Sequence, residues 1–134
     1  MLIGELADRA GTSTRMLRYY EQQGLVRAQR STNGYRVYED ELRIVRKIRA
    51  LLELGFDLAD TGAFVACLRH GHRSGDECPD SVDTLRRRLA EVDDAIDELA
   101  AVRTELRRQL DGALAGPPKC ELAHHLPDTP KECP

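Results

Sequence analysis

Tryptophan is absent from this 134-residue chain, phenylalanine occurs twice and tyrosine four times. No stretch is apolar for long enough to span a membrane, and the first residues lack the basic-then-apolar order of a secretion signal. A cytoplasmic location is therefore expected. No nucleophile–base set, phosphate-binding loop or paired acids can be recognised, so the chain is not expected to be an enzyme. β-Branched and aromatic residues are few while Leu, Ala, Arg, Asp and Glu dominate, which favours helix over sheet. The four cysteines, Cys67, Cys78, Cys120 and Cys133, are irregularly spaced and do not look like a secreted disulfide framework. In a reducing compartment such thiols serve as core residues, metal ligands or redox groups.

What is present is unevenly placed. The net charge is −3, yet residues 1–50 carry +4 and residues 51–134 carry −7. All four tyrosines fall between Tyr19 and Tyr38, among Arg15, Arg18, Arg27, Arg30 and Arg36. A basic front half on an acidic chain suggests a local polyanion site; the bland alternative is a solvated helical surface.

Helical periodicity in Ile3, Leu6, Ala7 and Ala10 stops at Gly11, and the hydroxyls of Thr12–Thr14 offer caps for a second helix to about Gln23. Two short helices joined through a Gly-containing turn form the helix-turn-helix pattern. On the second, Arg15, Arg18, Tyr19 and Gln22 share one face, with Met16, Leu17 and Tyr20 to the other side. Such a helix suits a nucleic-acid groove, with Tyr19 outward and Tyr20 in the core. Leu25-Val26 and the run Tyr35–Tyr38 are β-prone, and Asn33-Gly34 between them signals a hairpin turn, because both residues can take positive φ. Its arginines would make it a wing that grips phosphates.

Two further helices are expected, at Asp40–Leu54 with Leu42, Val45, Ile48, Leu51 and Leu52 on one face, and at Leu58–Arg69. A polar break follows. Then Val82, Leu85, Leu89, Val92, Ile96, Leu99 and Leu106 mark a heptad seam, interrupted at Arg103 and resumed to Leu110. A helix over 81–111 would be about 45 Å long, too long for its seam to be covered by the head alone, so it asks for a second copy. Arg103 would either pair with an acid of that copy, such as Asp93 or Asp94, or reach out of the seam. Residues 116–134 hold five of the six prolines and read as loop.

The segments IGELADRAG, TRMLRYYEQQGLV, NGYRVYEDE and LLELGF, in this order over residues 2–56, resemble those of MerR-family transcriptional regulators. Ala28 departs from the pattern, since relatives often have proline there, and should loosen the wing's approach. The resemblance implies a mainly α fold: a winged helix-turn-helix DNA-binding head over 1–70, a hinge at 71–80, an antiparallel coiled-coil dimerisation helix over 81–111, and a tail at 112–134 that could bind an effector. It further implies a homodimer on a palindromic stretch of double-stranded promoter DNA, where spacer distortion lets RNA polymerase engage. Bending a site of that size costs on the order of 1–6 kcal/mol, within an effector's reach. By the same resemblance, Arg15, Arg18 and Tyr19 would face the groove. Arg27, Arg30, Arg36 and Tyr38 would hold phosphates, while Asn33 shapes the turn.

Short members of the family sense metals or redox state through cysteines at both ends of the dimerisation helix. Here that implies Cys78 of one subunit meeting Cys120, His124 and His125 of the other, a thiolate–imidazole set suited to zinc or another thiophilic metal. Cys67 reads as a small core residue, and Cys78 as a possible packing residue before Asp80 or Ser81 caps the helix. An organic effector, or none, is the alternative. The competing overall reading is a coiled-coil adaptor or metal-handling protein that no longer binds DNA.

Overall fold

The computed structural model describes residues 1–116. It divides into two units: Met1–Ala90 forms the first, and the second begins at Glu91. In chain order the elements are α1 (Ile3–Ala10), α2 (Thr14–Gln22), β1 (Gln29–Arg30), β2 (Arg36–Val37), α3 (Leu42–Glu53), α4 (Leu58–Arg69) and α5 (Pro79–Ala115). The mainly helical architecture with a small hairpin is the one expected.

Local chemistry sets the helix ends. Gly11 closes α1, and Ser13 caps α2 by accepting the Met16 backbone N–H at 3.1 Å. Asp57 and Asp60 form a reciprocal capping box at the start of α4. Pro79 opens α5, where a missing N–H costs nothing. The long helix thus begins two residues earlier than expected. Ser81 is not its cap but a buried residue whose hydroxyl donates to the Ala63 carbonyl at 3.4 Å.

Leu6, Leu17, Tyr20, Val26, Ile44 and Ile48 lie in one core cluster, to which α4 adds Val65 and Leu68. Two expectations fail here. Leu25-Val26 is not a strand: both residues are buried in this core, and the first strand lies further on, at Gln29–Arg30. Met16 is exposed rather than packed with Leu17 and Tyr20. At 100° per residue it falls at the edge of the apolar stripe, beyond the reach of the core.

The hairpin is antiparallel, pairing Gln29 with Val37 and Arg30 with Arg36. Its turn differs from the one anticipated. Gly34 alone is left-handed (φ 83°), whereas Asn33 keeps negative φ. The Ser31 carbonyl accepts from Gly34 N–H at 2.9 Å while Ser31 N–H donates to Tyr35 O at 2.8 Å. This is the longer hairpin connection, in which a tight turn is followed by a left-handed glycine.

A second cluster, Leu51, Phe56 and Phe64, is covered by Leu85 of α5. Leu85 was expected in a seam between subunits, but it packs against its own head. The opening turns of α5 belong to the first unit, so an apolar residue at seam spacing is used within the chain. Arg87 strengthens this docking through Asp60 at 2.6 Å.

A buried ion pair ties the head together. Glu41, 3% exposed, accepts two bonds from Arg69 at 3.0 and 2.9 Å, and Arg69 also donates to the Leu25 carbonyl at 2.8 Å. Glu41→Ala would leave the guanidinium uncompensated and should cost about 3–5 kcal/mol, read from urea unfolding. A loss below 1 kcal/mol would rule out that role. At the other end of α4 the Arg87 guanidinium lowers the Asp60 pKa below its ordinary 3.8. A depressed folded-state pKa contributes stability that is present above the unfolded value and lost as pH falls through the folded one. Asp60→Asn should therefore flatten the fall in stability below pH about 4, measured as the unfolding midpoint against pH; a slope equal to the parent's would contradict it.

Candidate nucleic-acid interface

The exposed face of α2 carries Arg15, Arg18, Tyr19 and Gln22, all open to solvent, with Tyr19 46% exposed. Its neighbour Tyr20 is buried, and burial raises the phenol pKa above 10.0 despite the opposing charge of Arg49. One tyrosine is therefore available to a ligand and the other is a neutral core residue, as the face assignment anticipated.

Opposite this helix stands the hairpin. Between them lies a cleft of about 530 Å³ lined by Leu2, Ile3, Arg18, Glu21, Gln22, Tyr35, Arg36 and Tyr38. Arg36 is exposed and pairs with the Glu21 carboxylate across the cleft. Arg30 is exposed too, and its guanidinium donates to the Gly34 carbonyl at 3.2 Å, closing the wing tip. Arg27 is exposed just before the hairpin, while Ala28 packs partly buried against the core.

Tyr38 is corrected. It was expected at the surface holding phosphate, but it is 2% exposed. Its backbone N–H donates to the Met1 carbonyl at 2.8 Å, and its hydroxyl donates to Glu21 Oε1 at 2.7 Å. The strand ends at Val37, so the hairpin's in–out alternation does not extend to Tyr38. Tyr35, to which the sequence reading gave no role, is the exposed phenol of the wing at 66%. Glu21 was missed as well. One carboxylate orders both Tyr38 and Arg36, and nothing in a lone glutamate on a helix marks that. The clustering of tyrosines was the available signal for Tyr35.

Of the expected metal ligands, Cys78 alone lies among the described residues. Cys120, His124 and His125 lie outside the described residues. Cys78 is joined to Cys67 in a disulfide with Cα atoms 5.8 Å apart, so neither is a free thiol. Cys67 is buried, as expected, but it is a bonding partner and not an inert filler.

A capped helix pair with a basic, tyrosine-bearing second helix and an arginine-tipped hairpin beside it defines a winged helix-turn-helix protein. The family comparison agrees. The MerR family regulatory protein model matches residues 2–38, and the model described as "MerR, DNA binding" matches residues 42–109. Among similar proteins, the HTH-type transcriptional regulator HmrR of Rhizobium leguminosarum bv. viciae is 33% identical over 96% of this chain and 98% of its own. CueR of Escherichia coli O6:H1, also an HTH-type transcriptional regulator, is 34% identical over 79% and 78%. A solved structure described as a putative MerR family regulator from Listeria monocytogenes shares the fold, with a TM-score of 0.57 at 23% identity, covering 86% of each chain. The chain belongs to the MerR family of DNA-binding transcriptional regulators, and its relatives are not enzymes. No helix among the described residues is long and apolar enough to cross a membrane.

Removing one hydroxyl tests how the wing is held. Tyr38→Phe should lower stability by roughly 1.5 kcal/mol, because a bond to a charged acceptor is lost. It should also speed amide exchange at Arg36 and Val37. Unchanged exchange there would show that the Tyr38–Glu21 bond does not hold the wing.

Proposed function

We propose that the protein is a homodimeric regulator that binds a palindromic promoter, distorts the spacer between its polymerase-recognition elements, and changes that distortion when an effector acts through its cysteines. The observation that carries the DNA-binding part is the pairing of surfaces across the cleft: Arg15, Arg18, Tyr19 and Gln22 on α2, and Arg36 on the wing oriented by Glu21. On this reading α2 enters the major groove, where Arg18 and Gln22 reach base edges or phosphates. Arg27, Arg30 and Arg36, with Tyr35, hold the flanking backbone, which fixes register without reading sequence. RNA polymerase is the partner that would read the distorted spacer.

Dimerisation is supported by an unpartnered apolar stripe. In the second unit Ile96, Leu99, Leu106 and Leu110 are exposed at heptad spacing, as is Leu89 at the end of the first. Ile96, Leu99, Ala100 and Arg103 line a shallow apolar groove, as a seam with one polar interruption would. A second copy running antiparallel would cover it. Val92 lies on the same seam. Val82 and Leu85 would sit at its head end, where Leu85 is already used within the chain.

The alternative, a coiled-coil protein without DNA binding, would leave the exposed arginines of α2 and the wing without a function. Binding to an inverted repeat from its own promoter region, followed by fluorescence anisotropy, tests the choice. Arg18→Ala should weaken binding and lower the slope of log affinity against log salt by about 0.9, if the lost contact is to a phosphate, with the unfolding midpoint unaltered. Equal affinity at matched salt would remove Arg18 from the interface. Leu99→Asp should convert the dimer to monomer in sedimentation; a persisting dimer would eliminate the coiled-coil arrangement.

A further inference from the structure

The junction between α4 and α5 gathers three side chains able to bind a metal. Cys67 lies in the last turns of α4, Cys78 immediately precedes Pro79, and His72 sits on the loop between them. One ligand atom from each falls within 4.8 Å of the other two. The Cys78 backbone N–H donates to Cys67 Sγ at 3.2 Å, and the His72 N–H approaches the Cys67 carbonyl at 3.4 Å.

This loop is held by more than the disulfide. Gly75 has φ 81°, and a Cβ there would meet the Phe64 carbonyl oxygen at 2.9 Å, so only glycine fits against α4. Asp76 pairs with Lys47 of α3 at 2.6 Å. Opening the S–S bond therefore leaves both sulfurs near each other. Two sulfurs on one tetrahedral zinc stand about 3.8 Å apart, given Zn–S bonds near 2.3 Å. Cys78 is half-buried and Cys67 fully buried, so adjustment to that spacing falls to Cys78.

The surroundings match such a site. His72 Nδ1 lies 3.2 Å from Glu77 Oε2, a carboxylate–histidine pair of the kind that orients a metal-ligating imidazole. Cys78 immediately precedes the 37-residue helix that opens at Pro79, so a ligand there sits at the helix's start. Two thiolates and a neutral imidazole balance a divalent charge, so the occupied site is neutral beside the core.

We propose that Cys67, His72 and Cys78 of one chain form a metal-or-disulfide site, with one thiophilic divalent cation such as zinc bound in the reduced state and an open fourth position. This rests on the reading that cysteine chemistry supplies the signal, and it replaces the expected inter-subunit set by one within a single chain. A dithiol reductant gives the disulfide two electrons and two protons, yielding two thiols and its own disulfide. Binding the cation then releases two protons. Hydrogen peroxide reverses this: two thiolates lose two electrons as the S–S bond forms, the O–O bond breaks, two protons are taken up, and two waters and the free cation leave. The two states differ where α5 leaves the head, and Cys67 is two positions from Arg69, which ties α4 to Glu41 and Leu25.

The test uses the full chain carrying Cys120→Ser and Cys133→Ser, so that the tail thiols cannot contribute. After reduction with a phosphine and its removal, Co²⁺ and Zn²⁺ are titrated against a chromophoric chelator without DNA. The expected result is one ion per chain, a thiolate-to-cobalt charge-transfer band, two protons released, and no binding by the oxidised form. Cys67→Ser should abolish the site, and His72→Gln or Glu77→Gln should weaken it by about tenfold or more. His72→Gln alters an exposed loop, so circular dichroism should show an unchanged fold and keep the result interpretable if Cys67→Ser fails to fold. A reduced protein that takes no ion, or metal affinity untouched in both Cys67→Ser and His72→Gln, would overturn the proposal. Because no DNA is present, failure here is separable from failure of promoter binding.

Discussion

The ion pair between Glu41 and Arg69 holds three separate stretches of the chain in one place. Arg69 ends α4, Glu41 directly precedes α3, and the third partner is the carbonyl of Leu25, just past α2. Asp40, immediately before Glu41, adopts a left-handed conformation (φ 57°) that aspartate tolerates better than most residues. A charge pair this buried is a poor source of net stability, because desolvation offsets most of the attraction. Its use is positional: other packings of these helices would strand a charge in the core. The end of α2, through the Leu25 carbonyl just past it, is thereby tied to α4, the helix that carries Cys67.

Glu21 does for the wing what Glu41 does for the head. A two-stranded ribbon with strands of two residues has little stability of its own. It is kept against α2 because Tyr38 is buried beneath it and bonded to Glu21, while Arg36 meets the same carboxylate. Two side chains of similar chemistry, Tyr35 and Tyr38, thus do opposite work, one exposed in the cleft and one fastening the ribbon to the core.

The long helix has two owners. Its opening turns cover Leu51, Phe56 and Phe64 through Leu85 and are fixed by Arg87 and Ser81. From Ile96 onward its apolar side chains are exposed. The junction loop sits at the start of this helix, and Cys67 at its other end is two positions from Arg69, which bonds Glu41 and the Leu25 carbonyl.

Local chemistry was legible in the residues themselves. A hydroxyl cap within Thr12–Thr14, Gly11 as a stop, α4 at Leu58–Arg69, the outward Tyr19 and inward Tyr20, and the heptad spacing of α5 all follow from interactions within a few positions, where periodicity and capping decide the outcome. Pairings between distant residues were not legible. That Tyr38 turns inward, that Val26 belongs to the core, that Leu85 packs on its own head, and that Cys67 meets Cys78 depend on which surfaces face each other after folding. A heptad pattern is the same whether its apolar residues cover a neighbouring helix or a second chain, and a cysteine's partner is set by the approach of two helices. Those choices rest on burial and on long-range charge pairing, and only the tertiary structure makes them.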